Sequence, residues 1–569
     1  MFAGLLLAFA SAAGAQVAAP GGGVNSPGSA PVVDRERADR LEPSIAPAPA
    51  AAPAPPPEVD VAAGGDKAAA ITLTRALYMG ASLPAATLDA AVAPFVGRPL
   101  TRATLQGVAN AVGVAYARSD IAFYAVSIPA QIPAGGQLIL RVVEGRVKDY
   151  RLAGISPSLP TRLIQAHMQR LMREAPLRKS VLERTLSLLR DIPGQTVDAR
   201  VRQAGQPGDL TLDLIVKRRQ VQIGMLIDNS GVSNVVSGVQ AQLSVTANGL
   251  LREGDSTRVA GYLPFYPDRY QFYALSHSTP IGSNGTSLSA NIAHVETRSR
   301  DRAIEGEATL AGLTISHPVI RSYRATLSVS ASLDGVDSSN YFLDLRFGDY
   351  RSRAIRLGAS WSRVGDKSGH AVSAVISRGI DLLGAKAFVG FSETGFTKAN
   401  VQAVAVRSLS RRLSVKLAAK AQYSTDRLPV TERFSLGGRG AGMAFRVGAL
   451  TAEQAAAGSV ELSWSPSSAP LFKNSALFGY ADGAVAHECA RRDGAGRDLA
   501  DQFGGGGGQR VAGGIGDGVA DHRGGDRLAG LDRTRGSGEQ DGGRGSRLAR
   551  RGGRGGCAPL QFADAEDDK

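Results

Sequence analysis

The sequence has no run of eighteen or more apolar residues, so no membrane-spanning helix is expected. That leaves a water-soluble chain or a closed barrel of strands. Cysteine is nearly absent. Cys489 and Cys557 are the only two, and the first 488 residues have none. So long a stretch without thiols suits an oxidising compartment. Aromatics are sparse at 6%, and the seven histidines show no metal-type spacing. No Gly-x-Ser-x-Gly elbow occurs, which argues against a serine hydrolase fused to a barrel. The run Gly504–Gly508 is no phosphate loop, because no strand precedes it and no Lys-Ser/Thr follows. No catalytic residue, metal or cofactor is expected, and the chain does not read as an enzyme.

Acidic residues fall short of basic ones, leaving a formal charge of +14. The segment 488–569 contributes nothing to it, since 14 basic residues there balance 14 acidic ones. The excess therefore lies in 1–487. A basic body suits nucleic acid, anionic lipid or the wall of a pore. Lys and Arg are scattered along strand-like segments rather than gathered in a stripe, so no nucleic-acid partner is expected.

What is present is ordered along the chain. Phe2–Ala10 is an apolar stretch followed by the small residues Ala13, Gly14 and Ala15, which reads as an export signal over 1–15. Residues 16–67 are rich in Ala, Pro and Gly and read as linker. Within them, Asp34–Leu41 alternates charge among helix formers and predicts a short solvated helix. From 68 to 219 a β-α-α-β-β pattern occurs twice, with a period of about 75 residues. The first copy is read as strand Ile71–Thr74, helices Leu83–Phe95 and Thr101–Arg118, and strands Phe123–Ile132 and Gln137–Glu144. The second is read as strand Val147–Leu152, helices Pro160–Met172 and Ser180–Leu189, and strands Gln195–Val201 and Asp209–Val216.

From Arg218 to Val485 helical periodicity vanishes and alternation at period two takes over. Leu327, Val329, Ala331 and Leu333 alternate with Thr326, Ser328, Ser330 and Ser332. Ile355, Leu357, Ala359 and Trp361 alternate with Arg356, Gly358, Ser360 and Ser362. The segment Leu413–Ser424 alternates for twelve residues, with Lys416, Lys420 and Gln422 on its polar face. A tilted membrane strand needs about 9–11 residues, whereas soluble strands usually run about 5–6. Many long segments in succession, apolar on one face and wet on the other, predict a transmembrane barrel. The alternation stops at Glu488. Residues 491–569 hold 23 of the 69 glycines and no tyrosine or tryptophan. Such a tail reads either as a disordered Gly/Arg segment of the RNA-binding kind or as the product of a reading-frame shift. The abrupt change in mid-strand favours the frame shift.

Two segments carry more specific patterns. Phe434–Phe445 is a Gly-rich loop before the strand Gly458–Trp464, and Phe478–Gly483 places an Asp in mid-strand facing the lumen, where it needs a partner. With Leu138–Gly145 and the first barrel strand and turn Gly224–Gly231, they resemble in order the two-partner secretion outer-membrane transporters, the haemolysin secretion/activation proteins. The resemblance covers about residues 30–486. It implies a mainly-β fold, with two small α+β POTRA domains before a 16-stranded antiparallel barrel. The domain limits become 16–67 for plug helix and linker, 68–145 and 146–217 for the POTRA domains, and 218–487 for the barrel. By length that holds roughly 13 of 16 strands, with the C-terminal ones missing.

The resemblance also implies an Arg at the tip of a loop inside the lumen, paired with an Asp on the wall. Gly442, Ala444 and Phe445 match the loop motif, but Met443 stands where the Arg belongs, and Arg446 is expected to replace it ahead of Arg439. Tyr480, Asp482 and, less well, Ala484 match the strand motif. The implied partners are a large exoprotein, unfolded in the periplasm, the outer-membrane lipid and the barrel-assembly machinery, with no nucleotide. A passive porin, a barrel-assembly factor and a soluble adhesin with an RNA-binding tail remain as other readings.

Overall fold

The computed structural model describes residues 71–487 with breaks at 132, 155–158, 229–239, 265–268, 300–303, 344, 388–391, 437–449 and 466–476, together with 43, 45, 58–61, 509–511 and 515–517. The expected export signal and plug helix lie outside the described residues.

Both small α+β units are present. In the first, β1 (Glu58–Val61), β2 (Arg75–Met79), β3 (Tyr124–Ile128) and β4 (Gln137–Glu144) form one sheet in the order β1-β3-β4-β2. Helices Ala85–Val92 and Arg102–Arg118 cover it. Thr101 caps the longer helix by accepting from the Thr104 N–H at 3.2 Å, which satisfies a donor the helix itself cannot. Leu105, Val108, Val112 and Tyr116 recur at helical spacing and bury against Val126, Leu138 and Leu140.

Two expectations change here. The first strand is Arg75–Met79, not Ile71–Thr74. The backbone of Leu73 is taken up by the turn at 97–98, donating to Arg98 O at 2.9 Å and accepting from Gly97 N at 2.7 Å. In addition, four residues of the presumed linker, Glu58–Val61, form a strand parallel to β3.

The second unit comprises β5 (Arg146–Ala153), helices Arg162–Leu171 and Lys179–Arg190, β6 (Gln195–Gln203) and β7 (Asp209–Arg218), with sheet order β5-β7-β6. The helix Lys179–Arg190 has no side-chain cap of its own. Asp120 of the first unit supplies one, accepting from Ser180 N at 2.8 Å and Ser180 Oγ at 2.6 Å. Glu144 and Gly145 join the two units. Glu144 accepts from Tyr116 Oη at 2.7 Å and from Ser82 N at 2.8 Å. Burial, and then Glu144, push the Tyr116 phenol well above its ordinary range. A Cβ on Gly145 would lie 2.8 Å from Phe123 Cβ and 2.9 Å from Leu210, so no larger residue fits the junction.

An antiparallel meander follows: β8 (Val221–Asp228), β9 (Gln240–Asn248), β10 (Ser256–Pro264), β11 (Tyr270–Ile281), β12 (Thr286–Arg298), β13 (Ile304–Arg321), β14 (Ala325–Phe342), β15 (Leu345–Val364), β16 (Ser368–Gly379), β17 (Thr397–Ser408) and β18 (Leu413–Tyr423). The hairpin β19 (Phe434–Leu436) and β20 (Leu450–Ala452) interrupts it before β21 (Gln454–Trp464) and β22 (Leu477–His487). Each strand from β8 to β18 pairs with its sequence neighbour, and β18 pairs directly with β21. Among the described residues, thirteen ladder strands lie in the region whose length predicted roughly thirteen. Two short pieces, β23 (Gln509–Val511) and β24 (Ile515–Asp517), pair with β22.

The two faces of the meander differ as the alternation predicted. Ile223, Val245, Val259, Leu275 and Ile292 are register neighbours in one row across five strands. They are 41–69% exposed. Water would penalise so continuous an apolar surface; lipid accepts it. The opposite face carries Arg356, Ser377, Lys398, Asn400, Gln402 and Gln422, all buried. Among the described residues no helix is long and apolar enough to cross a membrane.

The second unit docks on one end of the meander. Arg218 Nη2 lies 2.7 Å from Glu253 in the β9–β10 turn. Arg184 donates to the carbonyls of Pro318 (2.9 Å) and Val319 (3.1 Å). Arg321 grips Asp191 through two bonds of 2.6 and 2.7 Å. In the β11–β12 turn Gly285 has φ +87°, and a Cβ there would lie 2.5 Å from Leu188 of the docked helix.

Candidate functional site: the hairpin inside the barrel

The long connection after β18 turns back onto the inner face of the sheet. Phe434, Leu436 and Ala452 of the hairpin form one buried cluster with Ala455 and Ala457 of β21 and Ala484 and Ala486 of β22. Small side chains on the wall let the hairpin backbone approach closely. Lys420 Nζ sits 5.8 Å from the centre of the Phe434 ring, a cation over an aromatic face.

Charge pins the stem. Glu432, on a short turn before β19, is fully buried and is reached from three strands. Lys398 Nζ of β17 lies 2.8 Å from its Oε2. Arg356 of β15 donates to both its oxygens, at 3.0 and 3.2 Å. Ser352 Oγ donates to Oε1 at 3.1 Å. Arg356 also donates twice to Asp334 of β14, at 2.6 and 2.8 Å, and once to Ser377 Oγ of β16 at 2.8 Å. From β18, Gln422 Nε2 donates to Glu432 O and Glu453 O, both at 3.2 Å, which ties the two ends of the hairpin together. Arg433 and Glu453, 3.1 Å apart, pair across the stem.

Three cations and three anions are thereby balanced in a space nearly free of water. Such burial is tolerated because each charge is matched and hydrogen-bonded. The Arg356 fork suits two carboxylates at once, a geometry that a lysine could not supply.

Of the residues predicted from sequence, the loop motif Gly442, Met443, Ala444, Phe445 and Arg446 lies outside the described residues, as does Arg439. The strand motif is placed. Tyr480, Asp482 and Ala484 face inward on β22, opposite Glu461, Ser459 and Ala457 of β21. Asp482 is 7% exposed and stands two residues before Ala484, which packs on the hairpin. The ion cluster itself was missed. Its one local signal is Arg356 on the wet face in mid-strand, but the partners of Arg356 are 22 and 76 positions away. No local pattern joins them.

Comparison with known proteins agrees with this architecture. The family model for haemolysin secretion/activation protein ShlB/FhaC/HecB matches residues 209–507, and that for the ShlB-type POTRA domain matches 77–145. The outer membrane transporter CdiB of Escherichia coli O6:K15:H31 (strain 536 / UPEC) is 24% identical over 427 residues, 71% of each chain. A solved structure of CdiB from Escherichia coli superposes with TM-score 0.58 at 22% identity, covering 73% of this chain and 84% of that one. CdiB from Acinetobacter baumannii gives TM-score 0.52 at 17% identity, covering 73% and 80%. These structural likenesses speak for the fold alone. The ShlB/FhaC/HecB match spans more than half of the chain, which therefore belongs to that family of two-partner secretion transporters, proteins of the outer membrane with periplasmic POTRA domains and not enzymes.

Proposed function

We propose that this chain secretes a large exoprotein, which it captures unfolded in the periplasm and passes through the barrel past the lumenal hairpin. The observation that carries the reading is the hairpin stem, an element held inside a polar lumen by matched charges. A passive pore has no need of the two α+β units that precede the barrel. The second α+β unit, docked on the rim that carries the β9–β10, β11–β12 and β13–β14 turns, supports capture on the periplasmic side. POTRA sheet edges accept an extended chain by backbone hydrogen bonds without demanding one sequence. No nucleotide site is expected, so folding of the exoprotein outside the cell would drive export.

The role of the predicted loop follows from the same reading. Arg446 reaches Asp482 from the hairpin tip and substitutes for the Arg that Met443 displaces. Asp482→Lys then frees residues 437–449, seen as a gain of protease cleavage there; unchanged cleavage would refute the pairing.

Secretion itself is tested by co-expression with a large exported protein from the same locus. The expected result is release into the medium, at least tenfold reduced when residues 68–217 are deleted. Equal release with and without those residues would overturn periplasmic capture.

A further inference from the structure

The two α+β units share one strand order, but their edges differ. β3 and β6 are each the antiparallel neighbour of the central strand, β4 or β7. Among the described residues, no strand pairs with the outer edge of β6. The matching edge of β3 is covered by β1, drawn from the Pro/Ala-rich segment that precedes the unit. The pairing is parallel and spans four residues, from Glu58↔Ala125 to Val61↔Ile128. It places Val59 and Val61 in register with Val126 and Ile128, the buried positions of β3. The sequence places Pro55, Pro56 and Pro57 just before β1 and Gly64 and Gly65 just after it. An edge strand so short is held by few hydrogen bonds, and its tether, rather than its own affinity, keeps it in place.

The same segment touches the barrel further upstream. A Cβ on Gly369 would lie 2.6 Å from Ile45 Cγ2, so Ile45 rests against the start of β16. The neighbouring side chains set the direction. Ala371 is buried with Gly369 on the inner face, while Val372 and Ile376 face outward. Gly369 follows the β15–β16 turn, whose Asp366 pairs with Arg324 of the β13–β14 turn on the docked rim. The linker therefore passes from the inside of the barrel mouth at Ile45 to the edge of the first unit at Glu58. In polyproline geometry that step can span at most about 40 Å.

We propose that β1 is a self-strand, occupying the strand-accepting edge of the first unit until an extended segment of the exoprotein replaces it. Its release also slackens the linker that runs into the barrel mouth. The inference rests on the secretion reading above and deepens it, because it sets the order of events at capture. The incoming segment is an extended polypeptide with apolar residues at alternate positions, added parallel to β3.

The test uses the full chain in detergent and a labelled peptide of residues 56–63, Pro-Pro-Glu-Val-Asp-Val-Ala-Ala. Three forms are compared, all with Cys489 and Cys557 replaced by Ser: the parent, Val59→Pro/Asp60→Pro, and Asp60→Cys/Ser127→Cys. The last pair are register partners and are oxidised to a disulfide. The proline form is expected to bind the peptide at least tenfold more tightly than the parent. The disulfide form is expected to bind none, returning to the parent level on reduction. Equal binding by all three, or none by the proline form, overturns the self-strand. In planar bilayers the proline form opens more often than the parent and the disulfide form less often; equal opening overturns the coupling to the barrel mouth. A chain that forms no channel in any form contradicts the secretion reading instead.

Discussion

Inside the barrel, Arg356, Lys398, Glu432 and Glu453 are almost wholly removed from water, whereas two ion pairs of the periplasmic rim, Arg321–Asp191 and Arg324–Asp366, stay partly wet. Arg321–Asp191 is 15% and 44% exposed, and Arg324–Asp366 is 66% and 82% exposed. The same chemical pairing therefore has different consequences at the two places. At the rim, water and salt compensate a lost partner. In the lumen nothing does, so the hairpin stem is fixed in an all-or-none way.

The sharpest way to break the contrast is at Glu432. Glu432→Gln leaves Arg356 and Lys398 facing a neutral group and is expected to cost about 3–5 kcal/mol of local stability. The outcome is increased hydrogen exchange at 430–436 and 450–454 and larger single-channel conductance. Adding Lys398→Met to Glu432→Gln removes one orphaned cation and is expected to recover part of the loss, a coupling read by the double-mutant cycle.

The second effect arises in the docked unit, where one titratable group is nearly as dry as the lumenal cluster. His167 is 4% exposed. Burial, and then the neighbouring Arg170, hold its pKa down to about 4 from an ordinary 6.5. Between those values the unfolded chain binds more protons than the folded one. Stability is therefore complete above pH 6.5 and declines as pH falls toward 4, by up to about 3 kcal/mol. Hydrogen exchange of the helix Arg162–Leu171 as a function of pH reads this directly, and His167→Leu is expected to flatten the profile.

A smaller loss is expected at the junction of the two units. Asp120→Ala removes the cap of the helix Lys179–Arg190 and is expected to cost about 1 kcal/mol, measured by denaturant titration. Least of all, Asp366→Asn at the exposed rim is expected to change stability by less than about 1 kcal/mol, and by less still in 1 M salt. A rim substitution as costly as Glu432→Gln would erase the distinction between the two places.

Much of the fold was legible because it is written locally. Helices at 102–118 and 179–190 announce themselves by period, and Leu327–Leu333 or Leu413–Tyr423 by strict alternation, since one face of each must meet a single environment. β1 was not legible, because Pro and Ala around it conceal four residues whose strand character comes only from the open edge of β3. The shift from Ile71–Thr74 to Arg75–Met79 has a similar cause, as Leu73 bonds to a turn that local propensity does not reveal. Of the site, the inward orientation of Tyr480, Asp482 and Ala484 followed from parity along β22. The Arg356–Glu432–Lys398 cluster did not, since it depends on which strands the hairpin stem meets, a property of the tertiary arrangement rather than of any window of sequence.

The most direct measurement concerns the two faces of β18. In a background with Cys489 and Cys557 replaced by Ser, Leu417→Cys and Lys416→Cys are compared in outer-membrane vesicles. The account predicts that Leu417→Cys reacts with a bilayer-confined maleimide and resists a water-soluble one, while Lys416→Cys does the reverse. Equal reaction of both positions with the water-soluble reagent would mean that the sheet does not stand in lipid and would contradict the transporter.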